Sequence, residues 1–449
     1  MSGQKKLRIG IANLMMLNIF GDEAEKIAVD YFKGATKFLE EKLNIELYTD
    51  LKAVTNLDEA RHTWEFFAEK RVEAIILFNG TFSLTNLMIE IIRNSNVPFL
   101  IWGLEEYLMS KNTVSGSMIG LMPAGVVFKN LDKKFSFVYG PIEKEEVQQQ
   151  IRLFFSVIKA ISDLKQAKIG LIGSRPDGFE ISNYDELVIK KFFGTTLTKI
   201  DMSYFLKLID SIDEKEALKD VNKQKELFDM HKTDSKAALD LSKIYLATKK
   251  VIEENRINCY APQCWPELRM DRQTPICSIN SRITAEGTMA SCEVDIDCAL
   301  TMLLFHSLSG GKSPWTADFV NFIEKKNAVL YWHCGNAPFD VSDGKPLMEV
   351  VYEGPALTAS LVKGTVTVAR INHFRGGFEI FAAVGEAIKS EPLLRGSNIL
   401  INVRGGNMEY IKWLLENGVP HHNVVAYGDF SEELKEFGKL VDVPVQIFK

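Results

Sequence analysis

Apolar and polar positions along the first hundred residues alternate between short, nearly continuous apolar runs and longer stripes with helical spacing. KLRIGIANL, IELYTD, EAIILFNG and VPFLIWG are the apolar runs. Amphipathic stretches separate them: Asp22 to Lys42, a second stretch through Phe67, and one near Leu84 to Ile92. A short run that is apolar on both faces fits a strand of a covered parallel sheet, and strand–helix alternation predicts βαβ units.

The rhythm restarts once. A long helical stretch from Glu145 to Leu164 leads into AKIGLIGSRPDGFE, an apolar strand followed by a Gly/Pro turn, so a boundary is expected near Ala167. From Ile209 to Lys243 the chain is dense in Asp, Glu and Lys, as solvated helical faces are. INCYAPQCWP then leads through an expected loop at PICSINSRITAEG to DIDCALTMLLFHSL, which is too apolar for a surface helix and should be buried. After GGKSP the pattern becomes strand-like in AVLYWHC, PLMEVVYE, GTVTVARINHF and NILINVRG, before a helix at MEYIKWLLENG and the loop VPHHNVV. The fold class expected is α/β: two Rossmann-like parallel-sheet α/β domains, residues 1–165 and 166–311, followed by a β-rich, barrel-like C-terminal domain, residues 312–449.

Charge and composition narrow the partners. Among 449 residues, 53 basic and 59 acidic side chains give a net charge of −6 with no long basic block, which argues against binding a phosphate backbone. No apolar run reaches membrane-spanning length, and the N-terminus lacks a small-residue cleavage site, so no signal peptide is read. Six cysteines fall in the middle of the chain without a CxxC pair, which suits reduced thiols in cytoplasm better than a zinc site. There is no GxGxxG, GxxxxGK[ST], GxSxG or HExxH, so the common nucleotide, serine hydrolase and zincin chemistries lack support.

The candidate chemistry is carboxylate and imidazole. Glu293, in SCEVDID, stands ahead of the buried apolar helix, where free backbone N–H groups favour an anion, although local sequence alone favours a mere capping role for Glu293, Asp295 or Asp297. Asp318, in PWTADFVNF, is a carboxylate in an apolar strand, costly there unless compensated. His333 ends a strand-like run, and His421 and His422 sit in a short loop, both common places for site residues. A lone histidine in an apolar strand is more often a satisfied core residue, an alternative that stays open for His333. Carboxylate oxygens with imidazole and no thiolate suit Mn²⁺, Mg²⁺ or Co²⁺.

The segment Thr288 to Asn321, TMASCEVDIDCALTMLLFHSLSGGKSPWTADFVN, resembles the L-fucose and L-arabinose isomerase superfamily, in a shortened form. A Glu precedes a buried Ala/Leu/Met helix, and a second carboxylate follows in an "-AD-" strand 25 positions later. GVPHHNVV is similar to the arabinose isomerase Gly-Gly-Ala-His-His loop, whose second histidine binds metal. The resemblance therefore implies Glu293, Asp318 and His422 as metal ligands, with His333 matching in order a further histidine of the arabinose branch. FNGTFSLTNLMIEIIRNSNVPFLIWG resembles the fucose branch's first domain, which brings in Asn79, and Gln263 and Trp265 in PQCWPE look like its Gln and Trp near the sugar.

What the resemblance implies is an aldose–ketose isomerase dependent on a divalent metal, Mn²⁺ first. Glu293 and Asp318 would move a proton between C1 and C2 of an open-chain monosaccharide through a cis-enediol. A deoxy or sulfonated hexose is among the compatible substrates. Relatives of this kind are homo-oligomers, trimers or hexamers. The competing expectations are a non-catalytic sugar-binding or regulatory protein, since tandem α/β domains also build receptors, and a related metal-dependent sugar epimerase.

Overall fold

The computed structural model describes residues 6–107 and 115–449, and the chain divides into two compact units. One comprises residues 1–162 with 439–441, the other residues 163–438 with 442–449.

The first unit is built on a parallel sheet. Its strands are β1 (Leu7–Leu14), β2 (Ile45–Tyr48), β3 (Ala53–Val54), β4 (Ala74–Asn79), β5 (Phe99–Gly103) and β6 (Phe135–Tyr139), in the order β2-β1-β4-β5-β6 with β3 also on β1. Every pairing is parallel. Every residue of β4 and β5 is buried, which is why EAIILFNG and VPFLIWG carry no polar alternation. Helices Asp22–Lys42, Leu57–Lys70 and Thr85–Ile92 fall where their stripes predicted.

The second unit opens with a smaller parallel sheet of β7 (Lys168–Ile172), β8 (Thr196–Ile200), β9 (Cys259–Pro262) and β10 (Met289–Ala290), in the order β10-β9-β7-β8. The charge-dense region forms helices Glu214–Leu227 and Ser235–Asn255. It is not solvated throughout, because Asp220 is buried and accepts from both Arg282 Nη atoms at 2.9 Å. PICSINSRITAEG departs from expectation: Cys277–Ala285 is a helix, not a loop. Its polar residues read as surface, yet all but the last of its nine positions are buried. Internal partners satisfy some of them, such as Asn280 with the Tyr260 hydroxyl (2.6 Å) and Arg282 with Asp220.

The rest of this unit is a closed antiparallel barrel. Its strands are β11 (Trp315–Ile323), β12 (Ala328–His333), β13 (Leu347–Val351), β14 (Gly354–Ser360), β15 (Gly364–Phe374), β16 (Gly377–Ile388), β17 (Ser397–Val403), β18 (His422–Tyr427) and β19 (Val445–Ile447). Six of them run β17-β12-β11-β18-β15-β16, and a pairing of β16 with β17 closes the ring. The β13–β14 hairpin and β19 attach outside it through parallel pairings. Trp315, Tyr331, Val366, Val368, Ile399 and Ile401 belong to the barrel's apolar cluster.

Helix Ile296–Leu308 packs against β15 and β18 with eleven of its thirteen residues buried, so it has no polar face to show. Among the described residues no helix is long and apolar enough to cross a membrane.

Candidate active site

The residues ahead of the buried helix are held in a strained turn. Asp295 is the N-cap, its Oδ1 accepting from the Cys298 N–H at 3.0 Å. Glu293 and Val294 both occupy the left-handed region, with φ of 52° and 56°. Each such residue costs of order 1–3 kcal/mol, and a β-branched valine is especially unsuited to it. The turn is held by the Asp295 N–H to the Cys292 carbonyl (2.8 Å) and the Ser291 hydroxyl to the Asp295 carbonyl (2.7 Å). Its effect is to free Glu293 from capping and turn its carboxylate toward the barrel, where Trp265 Nε1 donates to Oε1 at 3.1 Å.

Register supplies the next two groups. Asp318 on β11 stands directly opposite His422, the first residue of β18. His422 Nε2 lies 3.4 Å from Asp318 Oδ1 and 3.6 Å from Glu293 Oε2. Its other nitrogen, Nδ1, lies 3.0 Å from Asp295 Oδ2. An ionised carboxylate can only accept, so Nδ1 carries a proton, and in the neutral ring Nε2 keeps the lone pair that faces the space between Glu293 and Asp318.

Asp295 is fixed in turn by Arg370 on β15, fully buried, whose Nη1 and Nη2 donate to its two oxygens at 2.8 and 3.1 Å. Burial pushes the Asp295 carboxyl up, but Arg370 and His422 outweigh it and hold it well below the usual carboxylate range. Sequence reasoning took Asp295 only as a possible cap and missed Arg370, although a lone arginine inside GTVTVARINHF was a visible signal.

His333 ends β12, its ring 5.6 Å from that of His422 and stacked at 26°. The Cys334 N–H donates to His333 Nδ1 at 2.8 Å. The neutral ring then carries its proton on Nε2, an atom that is buried without a partner. After Cys334, Gly335 turns the chain at φ 105°, where a Cβ would meet Leu357 backbone atoms at 2.6 Å. His421 is half-exposed, 3.9 Å from Asp318, and meets Phe179 edge-on at 6.2 Å. Phe179 also meets Trp265, at 5.5 Å, so the loop after β7 forms one wall. Burial and the neighbouring His422 push the His421 imidazole below its ordinary value.

Of the remaining sequence candidates, Gln263 is bound from two sides: Oε1 accepts from the Ser174 N–H (2.8 Å) and Nε2 donates to Glu267 (2.9 Å). It adjoins Trp265 and does not bond the carboxylates. Asn79 ends β4 in the first unit, fully buried, with Oδ1 accepting from the Ser83 hydroxyl (3.1 Å) and Nδ2 unpartnered.

The donor set fits a hard or borderline divalent cation. Asp318, His333 and His422 each place a ligand atom within 4.8 Å of the others, as do Glu293, His421 and His422. Asp318 Oδ1 is buried with no hydrogen-bond donor, an uncompensated acceptor facing an imidazole lone pair. A third grouping, Asp295, Cys298 and His422, is already satisfied by Arg370, which leaves no room in its electrostatics for an ion.

The relatives that share most of its length define the class: the chain is a sugar isomerase, similar to the L-fucose/L-arabinose isomerase-like superfamily. It is similar to the sulfoquinovose isomerase of Priestia aryabhattai, 24% identical over 404 residues, 88% of this chain and 90% of the relative. A sulfoquinovose isomerase from Clostridium sp. (strain MSTE9) is 23% identical over 388 residues, covering 84% and 86%. The L-arabinose isomerase of Flavobacterium johnsoniae is 22% identical over 378 residues, covering 79% and 73%. No family model matches the chain. A glucose-galactose binding protein from Geobacillus stearothermophilus aligns to 69% of this chain and 93% of its own at 13% identity, but with a TM-score of 0.17 that carries no weight.

Proposed function

We propose that this protein is a divalent-metal-dependent aldose–ketose isomerase that moves a proton between C1 and C2 of an open-chain monosaccharide through a cis-enediol. The observation that carries the reading is the convergence of Glu293 and Asp318 on one face of His422, whose Nε2 lone pair is fixed between them by Asp295. Glu293, Asp318 and His422 would hold the ion, Mn²⁺ in first place and Mg²⁺ or Co²⁺ as alternatives. When bound, the ion supplies Lewis-acid polarisation of the sugar's oxygens.

The chain's own groups do the rest. One of the two carboxylates removes the proton from carbon and the other relays protons at oxygen. Trp265 holds Glu293 at Oε1, so that carboxylate is oriented before substrate arrives. His333, with its proton on Nε2, serves better as a donor to an oxygen at the site than as a ligand in this arrangement. The similarity to isomerases of a sulfonated sugar favours a sulfonated hexose as substrate, and the family resemblance of the sequence favours a homo-oligomer, trimer or hexamer.

The test is isomerisation followed by NMR on a panel of aldoses, with protein supplemented with Mn²⁺ or treated with EDTA. Ketose formation that depends on the metal is expected, with solvent deuterium entering the product carbon in D₂O. Turnover surviving in both Glu293→Gln and Asp318→Asn defeats the reading.

A further inference from the structure

We propose that Arg269 is the recognition group for a sulfonate carried by the sugar substrate. This rests on the isomerase reading for its context and goes beyond it by naming the residue that would select an anionic substrate.

Arg269 lines the same cleft as Trp265, Glu293, His333 and Tyr352. It is the one lysine or arginine among the residues lining that cleft. Of the groups the site reading uses, Glu293 and His333 line it, an acceptor and one imidazole, so an anionic end of a substrate finds its fixed positive charge at Arg269.

The guanidinium is preorganised. It lies 4.2 Å above the Tyr352 ring, and Nε donates to Glu353 Oε2 at 2.6 Å. Stacking and one bond on the Nε edge fix the plane of the fork, while Nη1 and Nη2 make no hydrogen bond among the described residues. An arginine held in this way presents paired N–H groups to an oxyanion, whereas lysine would present a mobile point charge. The side chain is 22% exposed and Glu353 is 40% exposed, so as a purely structural ion pair the two would contribute little.

The sugars named by the relatives differ in the feature Arg269 would read: a sulfonated sugar for one set and neutral arabinose for the other. A neutral substrate has no use for a guanidinium edge without hydrogen bonds in the same cleft as Glu293. A sulfonate, with three equivalent oxygens, can accept from both Nη groups in several orientations.

Binding is the direct test. Calorimetry on the full chain with Mn²⁺ would compare sulfoquinovose, 6-deoxyglucose and glucose 6-phosphate, for the unmodified protein, Arg269→Gln and Arg269→Lys, with melting curves to verify folding. A charge-assisted contact of this kind predicts a roughly 10–100-fold weaker Kd for sulfoquinovose in Arg269→Gln, with 6-deoxyglucose changed less than about threefold. Arg269→Lys should fall between, since it keeps the charge and loses the fork.

Unchanged sulfoquinovose affinity in Arg269→Gln, equal losses on the sulfonated and neutral sugars, or no preference for sulfoquinovose in the unmodified protein would overturn the proposal. Tighter, Arg269-dependent binding of glucose 6-phosphate would overturn the assignment to sulfonate. Arg269-dependent binding without any ketose formation would instead defeat the isomerase reading and leave this one standing.

Discussion

His422 is oriented through its far side: Nδ1 lies 3.0 Å from Asp295 Oδ2, and this bond decides which nitrogen faces Glu293 and Asp318. The arrangement makes Asp295 a positioning residue that holds a ligand imidazole in one tautomer and one ring orientation. Arg370 on β15 holds Asp295 in turn, and the same carboxylate caps the buried helix.

Replacing Asp295 with Asn should therefore weaken Mn²⁺ binding by roughly 10–100-fold while the fold persists. Equilibrium dialysis of Mn²⁺ against Asp295→Asn measures this directly, and an unchanged affinity would show that His422 is oriented by something else. Asp295→Ala goes further, because it leaves the Arg370 charge buried without its main partner. A loss of about 3–5 kcal/mol in urea unfolding is expected for it.

Glu293 and Asp318 face a common imidazole without a cation between them in the protein alone, so their charges oppose each other in the metal-free fold. Glu293→Gln and Asp318→Asn should each abolish measurable isomerisation and Mn²⁺ binding. They should also leave the metal-free melting temperature unchanged or slightly higher, as substitutions at functional sites often do. A melting temperature lowered by many degrees would mean that these carboxylates hold the fold together instead.

Trp265 makes a narrower claim. Its indole N–H is the one protein donor to Glu293 Oε1 among the described hydrogen bonds. Trp265→Phe keeps the aromatic contact with Phe179 and removes that donor. A kcat lower by about tenfold, with Mn²⁺ affinity within a few-fold, is the expected result from loss of one bond to a charged group. If kcat is unchanged and KM alone rises, Trp265 packs against substrate and does not orient Glu293.

Much of this was legible in the sequence because periodicity reports burial. Fully apolar β4 and β5, the apolar helix Ile296–Leu308 and the alternating strands after Ser313 were all visible as pattern. What pattern could not show is pairing across the fold. That Asp318 stands opposite His422 depends on the register of β11 with β18, set by residues a hundred positions apart. Asp295 looked interchangeable with Glu293 and Asp297 as a cap, and only the left-handed turn at Glu293 and Val294 separates their roles. Cys277–Ala285 was mistaken for a loop because its polar residues find internal partners such as Tyr260 and Asp220, which local sequence does not reveal.

Asp297 provides a pH-dependent test of the same buried network. It is held inside the protein with Oδ2 accepting from the His373 N–H at 2.8 Å and Oδ1 unpartnered. Arg370 Nη2 is 3.6 Å away, but that guanidinium is already committed to Asp295. Burial, only partly offset by Arg370 and reinforced by the Asp295 charge, raises its pKa from 3.8 to about 7. A carboxyl whose folded pKa exceeds its unfolded one binds its proton more tightly in the native state. Its contribution is fully present below pH 3.8 and is lost as pH rises through about 7. Stability should therefore fall between about pH 4 and pH 7, by an amount on the order of 4 kcal/mol at most from this group, and level off above. Asp297→Asn keeps an acceptor for the His373 N–H and removes the ionisation, so its urea midpoint should decline less across the same interval. Parallel declines in the two proteins would show that Asp297 stays ionised in the fold, with Arg370 shared between both aspartates.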